Sequence, residues 1–358
     1  MGHHNLGRVP ERVCHIVPAV PPEFNGLGDY ARQLWRHWPE PRPDWHVAAL
    51  RVPAGAAEAW PGVAFHPFRP NAESLLEALL ESRADSVALH YVGHGYHPNG
   101  VPLWLPKALA RWKSATGGRL VTFFHELWVE GGRWPAWPLW RAGGKILAKR
   151  LGAQSQSSLT SCHLYRQMLL EIGVEALQTP VGPNVAPIKC VDWSRKYCPP
   201  FRVAIFGMPR TRERAMQILL RQLDVKRSQL LCELYMIGAK PIGPLEASLE
   251  RQIQSYVPLK RFLDVSEVTA SSLLHECDLG VADVRYEILG KSGTATAMLH
   301  HGCLVLAPDS EPAFSPLHPI ALLDAADHRK IHSKAERRAA YVEESSWPKI
   351  SRAFAATL

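Results

Sequence analysis

The feature that most constrains this chain is a doubled alternation. Short apolar runs recur between segments whose apolar residues repeat with helical period, once before and once after a proline-rich stretch. In the first series, 13–17, 47–50, 86–91, 120–124 and 158–160 read as strands. Between them, 29–38, 72–82, 102–114 and 144–151 read as helices, and 163–172 reads as one after the last strand. Residues 185–200, VAPIKCVDWSRKYCPP, break the pattern. A second series follows, with strands at 202–206, 230–237, 279–282 and 303–307. Its helices fall at 212–223, 245–256, 270–276 and 291–301. Strand-helix-strand alternation predicts a parallel sheet with helices on both faces. Each half is therefore expected to be a doubly wound, Rossmann-like α/β domain, with ligands outside the strand C-termini.

Length and composition agree. At about 100–200 residues per domain, 358 residues suggest two domains. The expected boundaries are 1–185, a linker over 186–200, 201–345, and a closing helical segment over 346–358. With 46% hydrophobic and 21% charged residues the chain can bury two cores. Its net charge of +8 favours anionic ligands. Nucleic acid is not expected, because no basic run is interleaved with aromatics and no zinc-finger or basic-zipper pattern occurs. The seven cysteines are scattered without a CxxC, which argues against a disulfide framework or zinc site and for reduced, cytoplasmic thiols. The opening residues are polar and show no signal region. No run of about 18 apolar residues predicts a membrane span.

Five stretches carry chemistry. NGLGDY at 25–30 lies between the first strand and its helix, where Gly26 and Gly28 permit close approach to a ligand. It reads equally as a tight turn with Asp29 as helix cap. HYVGHGYHPNG at 90–100 places His94 on a loop after a strand. Its histidine spacing does not suit a metal, so hydroxyl binding or proton transfer competes with simple packing. FFHELW at 123–128 puts His125 and Glu126 at a strand end, pointing to opposite sides. His125 is a candidate acid, base or hydroxyl partner. The tryptophan-rich 128–140 beside it suits sugar rings, a lipid interface or a loop over the core.

FGMPRTR at 206–212 offers Arg210 and Arg212 where a loop enters a helix. Two guanidiniums there can grip phosphates. RYEILGKSGTATAMLHHGCLVLA at 285–307 reads as a glycine-rich turn opening a helix. The amides of Gly290 to Gly293 and the side chains of Lys291 and Ser292 can cradle a diphosphate. Arg285 stands where a Walker loop needs its first glycine, so an ATPase is rejected. No DxD triplet occurs, and no metal is expected.

Taken in order, these stretches resemble the GT-B glycosyltransferases, and within them the retaining family 4. Asn25, Gly26 and Gly28 match that family's glycine turn, His125 its cleft histidine and Arg210 its basic residue. Asp278, Glu287, Gly290, Lys291 and Gly302 follow the course of its donor segment. The resemblance implies two Rossmann-like domains facing across a cleft, with the last helix near Trp347 crossing back over the first. It implies transfer of a sugar from a nucleoside-diphosphate sugar to a sugar, lipid-linked or small-molecule acceptor, with no metal. Asn25, Tyr30, His94 and Glu126 would border the acceptor, and Glu287, His125 or Asp29 would act in catalysis. Peripheral contact with the inner face of a membrane is compatible. One departure is clear: the family's second glutamate, which holds donor ribose hydroxyls, falls on Ala295. It motivates an alternative, a catalytically weak GT-B-like protein that binds a sugar nucleotide or a partner. A sugar-phosphate epimerase or phosphorylase is a third.

Overall fold

The structure, a computed structural model, describes residues 10–23, 25–128, 137–192, 197–240, 242–284, 286–306 and 339–358. The side chains of Trp137, Tyr286 and Glu287 fall outside the description. The chain divides into two compact units, Met1–Thr179 with Trp347–Leu358, and Pro180–Ser346.

In the first unit β1 (Arg12–Ala19) leads to α1 (Gly26–Arg36), β2 (Asp44–Arg51), α2 (Ala56–Ala59) and β3 (Ala64–Pro67). Then come α3 (Ala72–Ser82), β4 (Ser86–Tyr91), α4 (Gly93–Tyr96), α5 (Trp104–Thr116) and β5 (Arg119–Phe124). The series closes with α6 (Trp137–Gln154), β6 (Ser157–Thr160), α7 (His163–Leu170) and β7 (Leu177–Gln178). The seven strands lie in the order β3-β2-β1-β4-β5-β6-β7, and all pair in parallel. Every residue of β4 is buried, as are all but the first of β1, because helices cover both faces. The strand order reverses between β1 and β4.

Helix α1 begins earlier than its apolar period suggests. The Asn25 side chain accepts from the amides of Leu27 and Gly28, so the glycine turn becomes the first helical turn. Asp29 lies inside that turn and is not the cap. The C-terminal helix Trp347–Ala355 packs in this unit, where the Ser351 hydroxyl lies 3.5 Å from Leu34 O.

The second unit runs β8 (Phe201–Gly207), α8 (Pro209–Gln222), α9 (Val225–Ser228), β9 (Leu231–Gly238) and α10 (Pro244–Gln254). It continues with β10 (Leu259–Leu263), α11 (Glu267–Glu276), β11 (Leu279–Val281), a 3-10 helix (Tyr286–Lys291), α12 (Gly293–His300) and β12 (Leu304–Leu306). Its five strands lie β10-β9-β8-β11-β12, again parallel, and the order reverses between β8 and β11. The helix expected over 291–301 is split. The Ser292 side chain accepts from the Ala295 amide, so α12 starts at Gly293 and Lys291 closes the 3-10 turn. Residues 129–136 of the tryptophan-rich stretch, Arg285 and the last residue of the 303–307 strand lie outside the described residues.

Candidate functional site

A doubly wound sheet binds ligands at the carboxyl ends of the two strands that flank its reversal. In the second unit those strands are β8 and β11. β8 ends at Gly207, whose φ of +135° favours glycine, and a Cβ there would crowd Thr211 of α8 and Thr294 of α12. The starts of α8 and α12 therefore converge on this strand end. Asp283, just past β11, supplies a carboxyl group here. Burial raises its pKa, opposed by Arg214 and Lys291 nearby and by a hydrogen bond with Thr211. Lys291 thus lies in the neighbourhood of Asp283, as does Arg214, one helical turn after exposed Arg210. Thr211, Arg214 and Asp283 are additions to the sequence-derived set. The four-residue spacing from Arg210 was the signal for Arg214.

Arg212 turns the other way. It is fully buried, with Nε 2.6 Å and Nη2 3.1 Å from the two carboxylate oxygens of Glu246. Its Nη1 donates to Gly207 O and Ala239 O, each at 2.7 Å. All three guanidinium nitrogens are used to tie the ends of β8 and β9 to α10. Arg212 is therefore a structural clamp, and the expectation that it grips phosphate is corrected.

The glycine-rich turn is also partly committed. Val181 N donates to Gly290 O, and Asn184 N donates to Gly293 O. A Cβ on Gly293 would lie 1.7 Å from Asn184 Oδ1. Gly293 is thus required by packing against Asn184. Ser292 Oγ accepts from the Ala295 amide as the α12 cap and lies 2.9 Å from Thr294 Oγ1, and the Ser292 amide donates to Leu289 O. Glu287 has its backbone in the 3-10 helix, but its side chain lies outside the described residues. Ala295 is fully buried.

In the first unit the reversal lies between β1 and β4. A Cβ on Gly28 would lie 2.3 Å from Ala19 O, so this glycine lets α1 pack on the end of β1. Gly26 has open space around it. Asn25 Oδ1 caps α1, and Asp29 pairs with Arg32 at 3.3 Å. Tyr30 is buried among His90, Phe123, His125 and Trp347, which corrects its reading as an acceptor contact. His94 is exposed, with Nδ1 3.0 Å from Pro98 O, and Glu126 is exposed.

His125 ends a row of buried histidines. His15 Nδ1 lies 2.9 Å from His90 Nε2, and His90 Nδ1 lies 3.0 Å from His125 Nε2. Burial pushes His90 down to about 3. Burial and the neighbouring His90 hold His15 and His125 well below the ordinary histidine range. In the folded unit the three rings are therefore neutral imidazoles across the ordinary pH range.

The likeness to solved structures covers nearly the whole chain. The lipopolysaccharide outer core galactosyltransferase WaaB in its apo form matches with a TM-score of 0.61 at 12% identity, over 96% of this chain and 98% of that one. An alpha-glucosyltransferase in complex with UDP matches at 0.52 and 10% identity, over 94% of each chain. A UDP-GlcNAc 2-epimerase from Neisseria meningitidis bound to UDP-GlcNAc matches at 0.51 and 9% identity, over 96% of this chain and 98% of that one. The fold is GT-B. No family model and no curated protein sequence matches the chain. Of the residues singled out in the sequence, Lys291 lies near Asp283 by the β8/β11 reversal and Arg210 stands at the start of α8. Arg212, Ser292 and Gly293 lie in the same region and make contacts within the scaffold.

Proposed function

We propose that this GT-B chain transfers a sugar from a nucleoside-diphosphate sugar to an acceptor hydroxyl. The observation that carries this reading is the position of Lys291. It lies at the end of a glycine-containing turn and, with Arg214, close enough to lower the pKa of Asp283 just past β11. A diphosphate arriving there meets Lys291, Arg214 and the exposed Arg210, and competes with Asp283 for Lys291. Cationic side chains aimed at a leaving diphosphate stabilise the charge that develops on it, with no metal in the step. Two of the GT-B neighbours support the nucleotide class, since one is bound to UDP and one to UDP-GlcNAc. The galactosyltransferase neighbour supports a sugar acceptor. The course of the donor segment from Asp278 to Gly302 supports a retaining enzyme like those of family 4.

Two observations keep a second reading in view. The epimerase neighbour shares the fold. Ala295 is buried where the family's ribose-binding glutamate would stand, which weakens the ribose half of the site. Incubating the chain with UDP-sugars separates the readings. UDP release that increases with a sugar acceptor is the expected result. Isomerised UDP-sugar without UDP release assigns an epimerase, and binding that raises the melting temperature without turnover assigns a binding protein.

The reading extends to peripheral contact with a membrane carrying a lipid-linked acceptor. α6 presents Leu139, Trp140 and Ile146 to solvent beside exposed Lys149 and Arg150. Such a mixed surface suits an anionic lipid interface. Among the described residues no helix is long and apolar enough to cross a membrane.

A further inference from the structure

The buried histidine row climbs through the first unit in a definite direction. His15 lies in the middle of β1, His90 is one residue from the end of β4, and His125 immediately follows β5. These strands are neighbours in the order β1-β4-β5. The row therefore rises from the sheet interior to its carboxyl edge. His15 and His90 are 0% exposed, whereas His125 retains 9%. Phe354 stacks on His15 and His90, and Tyr30 meets His90 and His125 edge-on, so the rings are held on several sides.

Proton counting couples the three tautomers. A neutral imidazole has one N–H and one acceptor nitrogen. His90 uses both nitrogens, so it donates to one neighbour and accepts from the other. Only two arrangements satisfy both bonds. In one, each ring carries its proton on Nδ1, and His125 points an N–H away from the row. In the other, each ring carries it on Nε2, and His125 points a lone pair outward. The far end decides between them. His15 Nε2 is buried and without a hydrogen-bond partner among the described residues. The second arrangement buries an orphaned N–H there, whereas the first leaves only an unused acceptor, the milder deficit. That sealed end also prevents the row from conducting protons, since nothing at His15 can take or supply one.

We infer that His15 and His90 are positioning residues that lock His125 with its proton on Nδ1, making His125 a neutral hydrogen-bond donor toward an oxygen of a ligand at this sheet edge. Among the described residues, Nδ1 of His125 makes no hydrogen bond within the protein, and it is the nitrogen the lock leaves for a ligand. The oxygen is a sugar hydroxyl or a phosphate oxygen, an assignment that rests on the glycosyl-transfer reading. The lock itself does not rest on that reading.

The test is long-range 1H–15N correlation spectroscopy on the full chain labelled with 15N-histidine, which reports the ring nitrogen that carries the proton. His125 is expected as the Nδ1–H form, unchanged between about pH 5 and pH 8. His90→Asn keeps an amide donor toward His125 Nε2 and is expected to keep that form. His90→Phe keeps a ring against Phe354 but has no nitrogen, so His125 is expected to shift toward the Nε2–H form that an unconstrained imidazole prefers. An Nε2–H His125 in the unaltered chain overturns the inference, whether or not the variants fold. So does a folded His90→Phe protein in which the tautomer stays on Nδ1. These spectra need no turnover, so a failure of the glycosyl-transfer reading leaves them interpretable.

Discussion

Arg212 and Glu246 meet as a bidentate ion pair with neither side chain exposed, 34 residues apart in sequence. Removing one member of such a pair strands the other charge in the interior. Arg212→Met is therefore expected to destabilise the chain by about 3–5 kcal/mol. The double variant Arg212→Met/Glu246→Leu should recover most of that loss, because no unpaired charge remains. Denaturant unfolding of the single and double variants checks both expectations.

Lys291 acts electrostatically on Asp283, which is not fully buried, near the β8/β11 reversal. Lys291→Ala is expected to weaken UDP binding about tenfold, or about 1.4 kcal/mol. Glu287→Ala is expected to lower donor turnover by at least about tenfold. Calorimetric titration with UDP and initial rates with a UDP-sugar read the two effects. Unchanged values with intact circular dichroism would remove these residues from the site.

The buried histidines set an acid limit. Burial lowers His300 and His301 to about 4 and His90 to about 3, from an ordinary 6.5. Their folded values are depressed, so the unfolded chain binds more protons below pH 6.5, and stability must fall as the pH drops. The loss is fully absent above the unfolded value and reaches at most about 1.4 kcal/mol per pH unit for each group. Melting temperatures are expected to be flat above pH 7 and to decline steadily toward pH 4.

Gly293 has no room for a side chain beside Asn184. Gly293→Ala is expected to cost about 1–3 kcal/mol by overpacking. Combining it with Asn184→Gly should relieve the clash, and thermal unfolding of both variants reads the difference.

On α6, Trp140→Glu is expected to reduce co-sedimentation with vesicles containing anionic lipid, with little change in stability, because Trp140 is well exposed. Equal sedimentation of the two proteins would count against membrane contact by this helix.

The doubled alternation made the parallel sheets legible, because central strands such as β4 are apolar runs long enough to stand out. The edge strands were not. β3 has four residues and β7 two, and β10 carries Lys260 and Arg261 on a half-exposed edge. At the donor turn, Lys291 was readable from its glycine neighbourhood. The inward turn of Arg212 was not, because its partner Glu246 comes from a different helix and only the fold brings them together. His15 gave no signal inside VCHIV. Its meaning depends on β4 lying beside β1, a fact of topology.

The C-terminal helix has a consequence for the order of synthesis. Its Phe354 stacks on His15, His90 and Phe123, and its Trp347 meets Tyr30. A ribosome translates all of Pro180–Ser346 before it reaches those residues. The unit made first therefore waits, with part of its aromatic interior uncovered, while the unit made second is completed. The nascent chain must shelter that surface through the translation of an entire domain, and it seals only when residues 347–358 emerge.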